Sequence, residues 1–159
     1  MIAMSLSCDP KVLIADEPTT AVDVTIKAQI LDILYQLKST RQMSILFITH
    51  ELNIVSEIGD RIVVMYAGKV AEIAKASDLL SYPKHPYTIG LINCLPSLRQ
   101  VGERMESIPG TVPSLIDPPD GCRFYPRCSK VMALCKEEQP PPFIVGDGHT
   151  VFCHLYSEG

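Results

Sequence analysis

Lys11-Val12-Leu13-Ile14-Ala15-Asp16-Glu17-Pro18 joins a compact apolar run to two adjacent acids and a proline. The run lacks polar alternation, which predicts a strand buried on both faces, as in a parallel sheet. Pro18 ends it, because proline has no N–H to continue a ladder. From Val24 the period changes: Ile26, Ile30, Ile33, Leu34 and Leu37 share one helical face, with Asp23 placed as its N-cap. A second apolar run, Ser44 to Thr49, follows. Strand, helix and strand in this order predict a βαβ unit with parallel strands. The C-terminal ends of both strands then lie on one sheet edge, bringing Asp16, Glu17 and His50 to the place where open α/β sheets build their sites.

Beyond this unit, Leu52 to Ile58 predicts a short helix, and the runs Arg61 to Tyr66 and Lys69 to Ile73 flank Ala67-Gly68 as a hairpin whose glycine supplies an unusual backbone angle. Ala76 to Leu80 predicts one or two helical turns. Tyr82-Pro83-Lys84-His85-Pro86 reads as a rigid connector, followed by a helix around Tyr87 to Leu95. The Pro-, Gly- and Ser-rich stretch 96–119 reads as an extended connection. Most of the 13 prolines lie beyond residue 80, so the regular α/β pattern is not expected to reach the end. No internal repeat occurs. The resulting division is 1–80 for a partial α/β domain, 81–119 for a connector and 120–159 for a cysteine-containing extension.

A length of 159 residues allows one domain with a real core, or a small core plus an appendix. The apolar fraction of 47% and charged fraction of 20% argue against wholesale disorder. A net charge of −4 gives no general attraction to nucleic acid, and the aromatic residues form no stacking array with a basic groove. The segment Met1 to Ser7 is neither basic nor long enough for a secretory signal, and no run approaches a membrane span, so the expected location is cytoplasmic, reaching a membrane only through a partner.

Two acids closing a strand read either as solvated charges that begin a loop or as a working pair. In the second reading Asp16 holds a hydrated Mg2+ and Glu17 orients or deprotonates an attacking water. Two acids are needed because a carboxylate bound directly to a metal is a poor base. His50, alone, would read as a structural histidine. On the edge of Asp16 and Glu17 its imidazole is placed to hydrogen-bond a transferred phosphoryl group and the nucleophilic water. Thr49 fits a strand end with no chemical duty.

Six cysteines occur, four of them as Cys122, Cys128, Cys135 and Cys153, spaced C-x5-C-x6-C-x17-C. One reading is a cluster of ordinary buried thiols. The other is a metal centre that staples a Pro-rich segment lacking a core of its own. Four thiolates accept zinc or an iron–sulfur cluster, and the positive charges of Arg123, Arg127 and Lys130 would offset theirs in either case. Cys8 and Cys94 read as small buried apolar residues. His149 and His154 read as loop histidines, and His85 as part of a packing connector.

Leu13-Ile14-Ala15-Asp16-Glu17-Pro18-Thr19-Thr20-Ala21-Val22-Asp23 resembles the Walker B motif and D-loop of ABC transporter ATPases, with Val22 where leucine is more usual. Phe47-Ile48-Thr49-His50-Glu51 resembles their switch-histidine loop. The resemblance implies a partial P-loop NTPase-like core in which Asp16 supports Mg2+, Glu17 is the catalytic base, His50 contacts the γ-phosphate of ATP, and Asp23 lies at a dimer interface. Met65-Tyr66-Ala67-Gly68-Lys69, His85-Pro86-Tyr87-Thr88 and Gly121-Cys122-Arg123-Phe124-Tyr125-Pro126-Arg127-Cys128 are similar to the oligopeptide and dipeptide permease ATPases with their C-terminal extension. This narrower resemblance covers essentially the whole chain. It implies peptide import, a second ATPase subunit, transmembrane permease subunits, a solute-binding protein acting indirectly, a location at the inner face of the cell membrane, and a [4Fe-4S] cluster on the four cysteines.

The sequence has no G-x-x-x-x-G-K-[ST] phosphate loop, glutamine loop or LSGGQ-type signature. The first of these supplies the N–H groups and lysine that cradle phosphates. The expectation is therefore the C-terminal part of an ATP-hydrolysing subunit, cut from a complete one and inactive alone. The alternative is a non-catalytic metal-binding or regulatory interaction fragment.

Overall fold

A computed structural model describes residues 2–41, 43–95 and 107–157. Part of the 96–119 connection, residues 96–106, lies outside them. The chain divides into two compact units, Met1–Ile58 and Gly59–Gly159. Its class is mixed α/β, with a parallel strand pair in the first unit, an antiparallel sheet in the second, and four of the six cysteines in the last part of the chain.

The first unit runs α1 (Ile2–Ser5), β1 (Val12–Asp16), α2 (Val24–Arg41), β2 (Ser44–Ile48) and α3 (Leu52–Ile58). β1 and β2 pair in parallel, from Val12 opposite Ser44 to Asp16 opposite Ile48. The α2 crossover makes this possible, since two parallel strands need a long connection. Asp23 caps α2: its Oδ1 accepts the Ile26 N–H at 2.9 Å, satisfying one of the donors a helix start leaves free.

The core of this unit is Leu13, Leu34 and Met43, with Leu6, Ile30, Leu37, Ile45 and Phe47 packed around it. Leu34 is 2% exposed, a burial worth about 2 kcal/mol. Ile30, Leu34 and Leu37 follow helical spacing and form the inward stripe, whereas Ile26 and Ile33, expected on the same face, are exposed. The strand expected to be buried on both faces is buried on one: Leu13 and Ala15 turn inward, and Val12 and Ile14 are 57% and 65% exposed. Leu46 and Ile48 of β2 are exposed likewise. The apolar run predicts a strand wanting two covers, and within this chain α2 supplies one.

The second unit contains β3 (Arg61–Tyr66), β4 (Lys69–Lys75), α4 (Ala76–Ser81), α5 (Pro86–Asn93), a 3-10 turn at Tyr125–Arg127, α6 (Leu134–Glu137), β5 (Phe143–Gly146), β6 (His149–Val151) and a second 3-10 turn at His154–Tyr156. β3 and β4 form the expected hairpin, extended to Lys75. Its turn needs left-handed backbone at two residues, Ala67 at φ 48° and Gly68 at φ 78°. Glycine takes this at little cost and alanine does not. The Arg123 guanidinium donates to the Ala67 carbonyl and fixes the tip.

The sheet order is β3-β4-β6-β5, antiparallel throughout. The tail of the chain thus returns to the hairpin sheet in two short antiparallel strands that the sequence reading did not mark. Three prolines, 140–142, precede β5 and conceal two strands of only four and three residues. Tyr66 packs edge to face on Tyr87 and on Phe124, 4.7 Å and 5.1 Å away between ring centres.

Behind the aromatic residues sits a buried polar network. Glu72, fully buried, accepts from the N–H groups of Lys84 (2.8 Å) and His85 (2.9 Å) and from His149 Nε2 (2.7 Å). His85 caps α5, its Nδ1 accepting the Tyr87 N–H at 3.0 Å. His149 lies in β6, and His154 donates from Nε2 to the Glu138 carbonyl at 3.0 Å. All three histidines are buried structural groups, where two read as loop residues from sequence. Cys8, read as buried, is exposed.

Candidate functional site

Register brings the acids and the histidine together. β1 ends at Asp16 and β2 at Ile48, and the ladder continues one step as Glu17 N–H donates to the Ile48 carbonyl at 2.8 Å. Glu17 then leaves the strand at φ 44°, a left-handed turn that swings its side chain off the strand alternation. A second left-handed residue, Ala21 at φ 61°, carries the loop on to the Asp23 cap.

The result is a contact between residues 33 apart: His50 Nδ1 donates to Glu17 Oε1 at 2.9 Å. The other carboxylate oxygen accepts from Thr20 Oγ1 at 2.7 Å. These bonds, His50 first and Thr20 second, hold the Glu17 carboxyl below the usual carboxylate range. Glu17 is therefore a carboxylate at neutral pH. With Nδ1 committed to Glu17, Nε2 is the imidazole atom left to meet a ligand. Both side chains are open to solvent, His50 at 70% and Glu17 at 44%. Asp16 closes β1 beside them, exposed.

Four further residues organise this edge. Lys27, in the second turn of α2, pairs with the Glu51 carboxylate, and buried Thr19 donates to the same carboxylate at 3.5 Å. The hydrogen bond from Lys27 is the main cause that holds Glu51 below the ordinary range. Glu51 N–H donates to Thr49 Oγ1 at 3.0 Å, so Thr49, read as idle, shapes the corner that carries His50.

The chain resembles known proteins along nearly its whole length. It is 49% identical over 158 residues to the oligopeptide transport ATP-binding protein AppD of Bacillus subtilis, covering 99% of this chain and 48% of that protein. It is 46% identical to the dipeptide transport ATP-binding proteins DppD of Bacillus subtilis and of Escherichia coli, covering 99% and 97% of this chain and 47% of each of them. Residues 71–135 match the family described as oligopeptide/dipeptide transporter, C-terminal region. The chain belongs to the oligopeptide/dipeptide ABC transporter ATP-binding family. It is a C-terminal portion of such a subunit and spans about half the length of the relatives it matches.

One expectation attached to this family fails here. Among the described residues, no group of three or more His, Cys, Asp or Glu side chains is arranged to hold a metal ion. The [4Fe-4S] cluster on Cys122, Cys128, Cys135 and Cys153, and zinc as its alternative, are both overturned. All four are free thiols, Cys135 and Cys153 buried and Cys122 and Cys128 half-buried. Burial is the first cause raising Cys122, Cys128 and Cys153, the last to about 11 with its neighbouring thiols adding to the rise, and it keeps them protonated.

The segment is stapled by backbone and arginine instead. Cys122 N–H donates to the Cys135 carbonyl at 2.8 Å, and Gly121 is required there because a Cβ would lie 2.3 Å from that same oxygen. Arg127, read as a counter-charge to thiolates, donates to the carbonyls of Ile108 and Pro109 at 2.8 Å each and to the Tyr66 hydroxyl at 3.3 Å. Spacing reveals a cysteine cluster, and burial decides its chemistry.

Sequence reasoning singled out Asp16, Glu17, Asp23 and His50 but passed over Thr20, Lys27 and Glu51. Glu51 was visible as the acid following His50. Nothing local to Lys27 signals its reach across 24 residues.

Proposed function

We propose that this chain carries the hydrolytic half-site of an ATP-hydrolysing subunit that energises import of oligopeptides or dipeptides. The observation that supports it is the hydrogen bond between His50 and Glu17 at the end of the parallel pair. Glu17, ionised and held by two bonds, accepts a proton from the attacking water. His50 orients that carboxylate through Nδ1 and offers Nε2 to the transferred phosphoryl group. Asp16 is the carboxylate for the Mg2+ that accompanies ATP as substrate, an ion that takes one or two protein carboxylates and completes its shell with phosphate and water.

The half-site is incomplete within these 159 residues, which contain no glycine-rich phosphate loop. The phosphates must be held by an element supplied from outside them. Asp23 uses Oδ1 to cap α2 and fixes the direction of the loop in which a second ATPase subunit would meet this one. Transmembrane permease subunits complete the assembly at the inner face of the membrane. Among the described residues, no helix is long and apolar enough to cross a membrane.

The test is to produce the complete subunit with its permease partners in vesicles and measure Mg2+-dependent ATP hydrolysis and uptake of labelled di- to pentapeptides together. Hydrolysis coupled to peptide uptake is expected. Hydrolysis with no peptide uptake would overturn the substrate class, and no hydrolysis would overturn the reading.

A further inference from the structure

The imidazole at this edge has a second carboxylate within electrostatic reach. His50 pairs with Glu17, yet Glu51 is its neighbour in sequence and close enough that the histidine's charge contributes to holding the Glu51 carboxyl low. The Glu51 carboxylate is itself committed: Lys27 Nζ binds Oε2, and Thr19 Oγ1 binds Oε1 at 3.5 Å.

We propose that Lys27 is a positioning residue for His50, occupying Glu51 so that the imidazole stays on Glu17. The proposal rests on the hydrolytic reading of Glu17 and His50 and identifies what enforces their pairing. Lys27 pairs through its ammonium group with Glu51 rather than with either of them. It starts from a rigid place, the capped beginning of α2, where its N–H bonds the Asp23 carbonyl at 2.9 Å. Its side chain is 25% exposed and that of Glu51 33%, so the pair is less screened than one at the open surface.

The Glu51 carboxylate in turn joins three segments: α2 through Lys27, the loop after Glu17 through Thr19, and the Thr49–Glu51 corner that carries His50. His50 is itself largely exposed, and an exposed side chain keeps one rotamer only when its surroundings leave it a single good partner. With Lys27 removed, the Glu51 carboxylate keeps only the 3.5 Å bond from Thr19, and the imidazole divides between two acceptors.

The test is histidine-ring 15N NMR on the complete subunit, with backbone amide spectra to check the fold. The unaltered protein is expected to give one ordered set of His50 ring signals with a hydrogen-bonded Nδ1–H, lost in Glu17→Gln. Lys27→Met should shift and broaden that set, and Lys27→Gln serves as the second variant should the methionine disturb α2. Lys27→Arg should preserve the signals. Lys27→Met combined with Glu51→Gln should restore them, because the competing charge is gone. A merely structural lysine would not be rescued by removing its partner. Wild-type His50 signals in Lys27→Met, or a double variant as perturbed as the single one, overturns the proposal.

In the complete subunit, Lys27→Met should lower kcat about tenfold with KM for ATP unchanged. Should the NMR result hold while Glu17→Gln leaves hydrolysis intact, the positioning stands and the hydrolytic reading falls.

Discussion

Glu72 and His149 lie 77 residues apart and meet in the interior of the second unit, where the acid also receives two backbone N–H groups. No local pattern in Lys69 to Lys75 marks Glu72 as buried, because its partners come from a connector and a strand that sequence spacing does not place beside it. Glu17 and His50 were legible for the opposite reason: parallel pairing forces the ends of consecutive strands to one edge whatever their sequence separation. His85, beside Glu72, carries a pH prediction. Its Nδ1 accepts a hydrogen bond and so must stay unprotonated, and burial lowers its pKa to about 4, against a small opposing effect of Glu72. Below 6.5 the unfolded chain binds a proton that the folded one refuses until about pH 4, so stability is full above 6.5 and is lost as pH falls through that window. Tyrosine-monitored urea unfolding should lose about 2 kcal/mol between pH 7 and 5 from this group. His85→Asn, which keeps a capping acceptor, should flatten that slope, and an unchanged slope would reassign it to another group.

At the scale of elements, α2 shows how a local signal and tertiary packing share the work. Asp23 begins the helix by capping it, and Ile30, Leu34 and Leu37 hold it to the strands. Asp23→Ala should therefore cost about 1 kcal/mol, read as an earlier melt of the helical circular-dichroism signal, and Asp23→Ser should recover most of it. A loss shared equally by the serine variant would point to a role other than capping. The parallel pair, the hairpin and α3 were readable because each has a continuous apolar run or period with clear punctuation. β5 and β6 were not, being short and preceded by prolines, and β6 pairs with β4 and β5 with β6 through residues that carry no alternation long enough to detect. The cysteine segment was readable as a cluster and misread as a metal site, since spacing reports which donors are near but not whether burial leaves them ionised.

For the whole molecule, the first unit leaves Val12, Ile14, Leu46 and Ile48 exposed on one face of a parallel pair, an arrangement that stable α/β proteins cover on both sides. The chain spans about half the length of its relatives, and the edge proposed above as a hydrolytic half-site pairs Glu17 with His50 in a sequence that contains no glycine-rich phosphate loop. The most direct measurement is Mg·ATP hydrolysis by the complete subunit carrying Glu17→Gln, with nucleotide affinity measured in parallel. Turnover should fall at least a hundredfold while affinity stays within about threefold, as expected when a general base is removed and ground-state binding is left alone. Turnover at the wild-type rate would contradict the assignment of Glu17.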